Sequence, residues 1–298
     1  MIIPKTINIG NKIGIIAPAR KISFKELNFC IEILESWGLE VVFGEFLLEQ
    51  DNQFSGTVEQ RSFDLQNMID DVEIKAILCA RGGYGTIQII DRIDFSNLHK
   101  NHKWIIGYSD ITVLHCHLNQ IGLATLHSTM PINFSRNTKK SLESFKNTIF
   151  GIENMIVAPA HQFNRRGKIE GEIVGGNLSI LYSLLGSESD IDTSGRILFL
   201  EDLDEYLYHI DRMMISMKRN GKFNHLIGMI IGMMNDMNDN KIRFGKTAEE
   251  IILEHVRDYS FPICFGFPSG HLDDNRSIKL GVSSVLDINE NGVSLSQP

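Results

Sequence analysis

From Lys12 to His127, short apolar runs alternate with amphipathic stretches, the pattern of βαβ units that close a parallel sheet. The apolar runs predict strands near Lys12–Ala17, Leu39–Phe43, Ile74–Ala80, Trp104–Gly107 and Ala124–His127. Between the first two, Ser23-Phe-Lys-Glu26 is a capping-box pattern. Leu27, Cys30, Ile31, Leu34 and Trp37 follow at helical spacing, and Gly38 is a stop. The same reasoning predicts helices over Val58–Asp70, Thr86–Arg92 and Asp110–Ile121.

Between Asn137 and Arg166 the pattern loosens into a polar helix and a mixed segment holding Gly151, Pro159 and Arg165-Arg166, which marks a domain boundary. Beyond it the alternation restarts. Strands are expected at Glu170–Val174, Arg196–Leu200, Leu226–Ile231, Pro262–Phe265 and Ser277–Gly281, with helices at Asn177–Leu185, Glu205–Arg219 and Thr247–Arg257. The expected fold class is α/β in two domains, 1–150 and 169–298, joined by a linker at 151–168.

Composition narrows the function classes. A chain of 298 residues with 43% hydrophobic content can bury two cores. A net charge of −8 leaves no basic excess to displace counterions from phosphates, so a nucleic-acid partner is not expected. Cys30, Cys79, Cys116 and Cys264 are widely spaced in apolar stretches without a C-x-x-C pair, and read as reduced core thiols. The stretch Met1 to Gly10 has no basic region leading into a long apolar core, and no apolar run is long enough to span a bilayer. A cytoplasmic protein without a membrane partner is expected. No metal or other cofactor is expected either. His115 and His117 stand two apart on a helix and point to different faces, while Asp236-Met-Asn-Asp-Asn240 lacks the glycine and closing glutamate of a calcium loop.

Four segments could carry chemistry. Gly107-Tyr-Ser-Asp110 follows an apolar strand and precedes a helix, where a sharp turn would lift Ser109 clear of the sheet. Ile111 stands where the G-x-S-x-G pattern has its second glycine, and a serine that only caps the helix is the competing reading. Arg81-Gly-Gly-Tyr-Gly85 ends another strand, and its bare backbone suits an oxyanion hole or a plain tight turn. In open α/β sheets ligands sit at the carboxyl ends of strands, so this loop and Ser109 are expected to share a crevice. Phe199-Leu-Glu-Asp202 ends a strand in two carboxylates, of which one should face the crevice unless both cap the next helix. Gly266-Phe-Pro-Ser-Gly-His271 is a rigid loop that offers His271 as a base. Serine, acid and histidine together would permit nucleophilic acyl transfer.

With Ile13-Gly-Ile-Ile-Ala-Pro-Ala19 and Gly175-Gly-Asn-Leu178, these segments resemble the LD-carboxypeptidase (muramoyltetrapeptide carboxypeptidase) family, which includes the microcin-immunity serine peptidases. The match runs nearly end to end. The resemblance implies a flavodoxin-like parallel-sheet N-terminal domain carrying the nucleophile and a smaller α/β C-terminal domain carrying the acid and base. It also implies a Ser109, Glu201, His271 triad, choosing Glu201 over Asp202, and substrate contact by Asn177, for which an N-cap of the next helix is the competing reading. Backbone N–H groups of Asp110 and of Gly82 or Gly83 are the expected oxyanion donors, and Arg81 is expected either to partner the substrate's terminal carboxylate or to form a structural ion pair. The expected activity is release of terminal D-alanine from peptidoglycan-derived tetrapeptides during cell-wall recycling, by a homodimer. Cleavage of aminoacyl-nucleotide amides and non-catalytic muropeptide binding are the rivals. The first is disfavoured because both tryptophans, Trp37 and Trp104, fall in a helix and a strand rather than in a substrate loop.

Overall fold

In the computed structural model, which describes residues 1–298, the first part of the chain alternates strand and helix: β1 (Lys12–Ile16), α1 (Phe24–Ser36), β2 (Glu40–Phe43), α2 (Val58–Asp70), β3 (Ile74–Cys79), β4 (Trp104–Gly107), α3 (Thr112–Gln120), β5 (Thr125–His127) and α4 (Lys139–Phe150). The strands pair in the order β2-β1-β3-β4-β5, all parallel. This is the flavodoxin-like order, and it places a switch point between β1 and β3, where crossovers leave on opposite sides and open a crevice at the carboxyl edge. Capping boxes start α1 at Ser23 and α2 at Thr57. Each such cap stabilises its helix by about 1 kcal/mol, which is why local sequence read both starts correctly.

The rest comprises β6 (Ile156–Ala158), β7 (Gly167–Asn177), α5 (Leu178–Ser183), β8 (Ile197–Leu203), α6 (Leu207–Arg219), β9 (Gly228–Asn235), α7 (Ala248–His255), β10 (Ile263–Cys264), β11 (Ile278–Leu280), β12 (Ser283–Asn289) and β13 (Gly292–Ser296). A second sheet runs β10-β9-β8-β7-β12-β13-β6, parallel from β10 to β7 and antiparallel beyond. Strand β11 leaves this part of the chain and pairs antiparallel with β5, at the edge of the first sheet. The largest core cluster contains residues of both parts, among them Ile111, Leu114, Leu178 and Leu200. All four cysteines are free and buried. No helix is long and apolar enough to cross a membrane.

Two expected helices differ from the structure. Thr86–Arg92 is two 3-10 turns, Thr86–Gln88 and Ile90–Arg92. Side chains from elsewhere hold them: Arg61 donates to the Gly85 carbonyl and the Gln88 side chain, and Asp110 takes the Thr86 N–H. The helix expected from Asp110 begins with a 3-10 turn over Ser109–Ile111 and becomes α-helical only at Thr112.

Candidate active site

Ser109 occupies the turn between β4 and α3 with φ +63°, a left-handed conformation that non-glycine residues rarely adopt. Holding it costs of order 1–3 kcal/mol, which the surrounding packing must supply. Gly107 is bare because a Cβ there would lie 2.8 Å from Ile111. The residue that breaks the G-x-S-x-G pattern is therefore accommodated by the glycine that keeps it. Across the turn lies the loop after β3. A Cβ on Gly82 would stand 3.1 Å from Ser109 Cβ and 3.3 Å from both Ser109 Oγ and the Asp110 nitrogen. The Asp110 carboxylate, buried, accepts from the Thr86 N–H at 2.9 Å and the Thr86 hydroxyl at 2.7 Å. One residue thus braces the Gly82–Gly85 loop with its side chain while its main chain borders the serine. Burial raises the Asp110 pKa against these two donors.

The candidate acid and base come from the second sheet. Glu201 lies fully buried near the end of β8, and its Oε2 is 2.6 Å from His271 Nδ1. Opposite Glu201 the β8–β9 register slips between Leu200 and Asp202, an irregularity of the kind that redirects side chains beside active sites. The close packing needs glycines. A Cβ on Gly232 would meet the Ser269 carbonyl oxygen at 2.4 Å, and one on Gly270 (φ +117°) would meet Glu201 Oε2 at 2.8 Å. The Gly270 N–H donates to Asn275 Oδ1 at 2.9 Å, and the Asn235 amide donates to the His271 carbonyl oxygen. Burial pushes the His271 pKa down, but the Glu201 charge and hydrogen bond outweigh it and leave the pKa raised.

Asp202, the adjacent carboxylate, points elsewhere. It accepts from Asn177 Nδ2 at 2.9 Å, the Ser179 N–H at 2.8 Å and its neighbour Leu203 N–H at 2.9 Å. Burial, and then the Glu201 charge, push its pKa up to about 7. Asn177 also caps α5 through Oδ1, and its backbone N–H donates to Thr112 Oγ1 on α3 at 3.0 Å. A Cβ on Gly176 would stand 2.6 Å from that oxygen. Since Asn177 pairs with Glu201 in the β7–β8 ladder, this contact ties the helix after Ser109 to the strand end that carries Glu201.

Two family models match the chain, the LD-carboxypeptidase N-terminal domain over residues 13–128 and the LD-carboxypeptidase C-terminal domain over residues 170–286. The chain belongs to the LD-carboxypeptidase family of peptidases. A Bacillus subtilis (strain 168) protein named "Probable murein peptide carboxypeptidase" is 36% identical, with 96% of this chain and 92% of that one aligned. The crystal structure of muramoyltetrapeptide carboxypeptidase from Oxalobacter formigenes superimposes with a TM-score of 0.88 at 26% identity, covering 96% of this chain and 98% of that one. The Escherichia coli microcin C7 self-immunity protein MccF is 25% identical over 97% of this chain and 94% of its own length.

In this LD-carboxypeptidase family member, the residues singled out from sequence fall into groups. Ser109, Asp110 and Gly82 are in contact, as are Glu201 and His271. The Tyr108 ring packs edge-on against His271 at 4.8 Å and links the two groups, although no hydrogen bond joins Ser109 to His271. The one hydrogen bond of the Arg81 guanidinium goes outside this cluster, to the Lys21 carbonyl at 3.3 Å. Gly83 (φ +107°) lies beneath the side chain of Arg20. His115 and His117 bind different partners, the Gly107 carbonyl and the Ser189 hydroxyl. Sequence reasoning missed Tyr108, Thr112, Asn235 and Asn275, none of which sits in a pattern that advertises its partner.

Proposed function

We propose that this peptidase is a serine LD-carboxypeptidase that releases terminal D-alanine from murein tetrapeptides in the cytoplasm, with Ser109 as nucleophile, His271 as general base and Glu201 as its orienting acid. The observation that carries the reading is the 2.6 Å contact of Glu201 with His271 Nδ1, which leaves Nε2 as the nitrogen for proton transfer. The substrate class rests on the relatives named for murein peptides.

In the proposed reaction Ser109 Oγ attacks the carbonyl carbon before the terminal D-alanine while His271 Nε2 takes its proton. Backbone N–H groups of Asp110 and of Gly82 or Gly83 hold the oxyanion, each donor worth roughly 3 kcal/mol. Collapse breaks the C–N bond, and His271 returns the proton to the leaving amine. Water then attacks the acyl-enzyme with His271 again as base, which frees the tripeptide and restores the hydroxyl. Glu201 keeps the imidazole in the required tautomer and stabilises its cation without itself taking the proton.

The substrate assignment is tested by offering three compounds: a tetrapeptide ending in D-alanine, the same peptide ending in L-alanine, and an aminoacyl sulfamoyl nucleotide. Cleavage of the first alone is expected. Preferential cleavage of the nucleotide amide would transfer the chain to the microcin-immunity activity.

A further inference from the structure

The geometry points to Arg20 as the residue that binds the terminal carboxylate of the scissile peptide, an inference that rests on the carboxypeptidase reading above. An exopeptidase must recognise the carboxylate one residue beyond the bond it cuts. One residue spans at most about 3.3–3.6 Å, so the recognising cation must lie close to the oxyanion donors.

The sheet order brings Arg20 to that place. Arg20 follows β1, Gly82 and Gly83 follow β3, and Ser109 follows β4, so the three loops leave consecutive strands across the switch-point crevice. Gly82 touches Ser109, and the stem of Arg20 lies across Gly83: a Cβ there would stand 2.5 Å from Arg20 Cδ and 2.7 Å from Nε. The Arg20 guanidinium therefore lies within two loop residues of the nucleophile.

Its pairing sets Arg20 apart from its neighbours. Arg61, buried behind the same loop, is engaged by the Pro18 and Gly85 carbonyls and by Gln88. Arg81 is turned to the Lys21 carbonyl. Arg20 is exposed, and its side chain enters none of the hydrogen bonds or ion pairs of the structure. Asp110 is the carboxylate across the loop, but it is buried and bonded to Thr86. A free planar fork beside an oxyanion loop, in a chain of net charge −8, suits bidentate capture of a substrate carboxylate. Arg136, exposed near Tyr108 and likewise without a side-chain hydrogen bond or ion pair, serves as the control.

The test compares a D-alanine-ended tetrapeptide with its C-terminal amide. Wild-type protein should prefer the free acid by roughly 10–100-fold in kcat/KM, the range of a charge-assisted hydrogen bond. Arg20→Ala should lose this preference through KM while turning over the amide as wild type does, which also shows that it folds. Arg20→Lys should keep part of it, and Arg136→Ala all of it. An undiminished preference in Arg20→Ala, or its loss in Arg136→Ala, would overturn the assignment. Calorimetric binding of both peptides to Ser109→Ala protein, with and without Arg20→Ala, separates the two claims. If the acid binds better than the amide only when Arg20 is present but wild type cleaves neither, the carboxypeptidase reading fails and the Arg20 site stands. Binding of neither peptide overturns both.

Discussion

The two sides of the candidate site are held in different ways. On the first sheet the serine is set by backbone: a left-handed residue after β4, a bare glycine loop pressed against it, and a carboxylate that braces that loop. On the second sheet the candidate acid and base are set by side-chain and loop hydrogen bonds: Glu201 pairs with His271, the Asn235 amide donates to the His271 carbonyl and the Gly270 N–H donates to Asn275. A strained backbone is over-determined by many contacts and tolerates little change in shape. A hydrogen-bonded corner packed around glycines with no room for a methyl loses stability as well as activity when its charge or its shape changes.

The largest expected effect tests charge on the second side. Glu201→Gln preserves size but misorients the imidazole, and kcat should fall by roughly 10⁴-fold with KM little changed; a drop under tenfold would mean that Glu201 does not serve His271. Next is shape on the same side. Gly270→Ala places a methyl 2.8 Å from Glu201 Oε2 at a φ of +117°, and both activity and thermal stability should drop, the strain costing about 1–3 kcal/mol. Gly82→Ala makes the matching change on the serine side, with contacts of 3.1–3.3 Å to Ser109 and Asp110. Activity should fall by about 100-fold, the effect of losing one oxyanion donor, while the melting temperature moves less than in Gly270→Ala. Equal losses of stability in the two variants would erase the contrast.

The link between the sides gives a smaller effect. Thr112→Val removes the acceptor for the Asn177 N–H and should lower stability by about 1 kcal/mol. Steady-state kinetics should show kcat reduced and KM unchanged, with Thr112→Ser restoring both stability and rate. The smallest effect is a displacement along the pH axis. Because Glu201 leaves the His271 pKa raised, the neutral base is reached only above the ordinary value of about 6.5. The acid limb of kcat/KM should therefore lie above pH 6.5 and move down in the residual activity of Glu201→Gln. The same pair stabilises the fold fully below pH 6.5, and that contribution is lost as pH rises through the raised value.

Much of the fold was legible because local signals agreed with the tertiary result. Val58–Asp70 matched to the residue, since a capping box and a helical apolar period both marked it. The strand ends that carry Ser109, Glu201 and His271 were legible as apolar runs stopping at polar residues. Pairing was not legible. Ile278–Leu280 read as a strand, yet nothing local assigns it to the first sheet beside β5. Strands β12 and β13 were passed over although Ser283–Asn289 alternates buried and exposed positions and Asn291-Gly292 marks the turn; the alternation was a usable signal. The three-residue β6 offered none. In the site, sequence proximity suggested Arg81, whereas the loop directs that side chain to Lys21 and leaves Arg20 over Gly83. Side-chain direction in an irregular loop depends on neighbours from other strands, which no local pattern encodes.

The proposed reaction passes through an acyl-enzyme formed by Ser109 with a D-alanine-ended murein tetrapeptide. The direct measurement is mass spectrometry of wild-type and Ser109→Ala protein incubated with that peptide, following free D-alanine and the mass of the intact protein. Wild type should yield D-alanine and a transient tripeptidyl adduct on Ser109, and the variant neither above background. D-alanine release that persists in Ser109→Ala would contradict it.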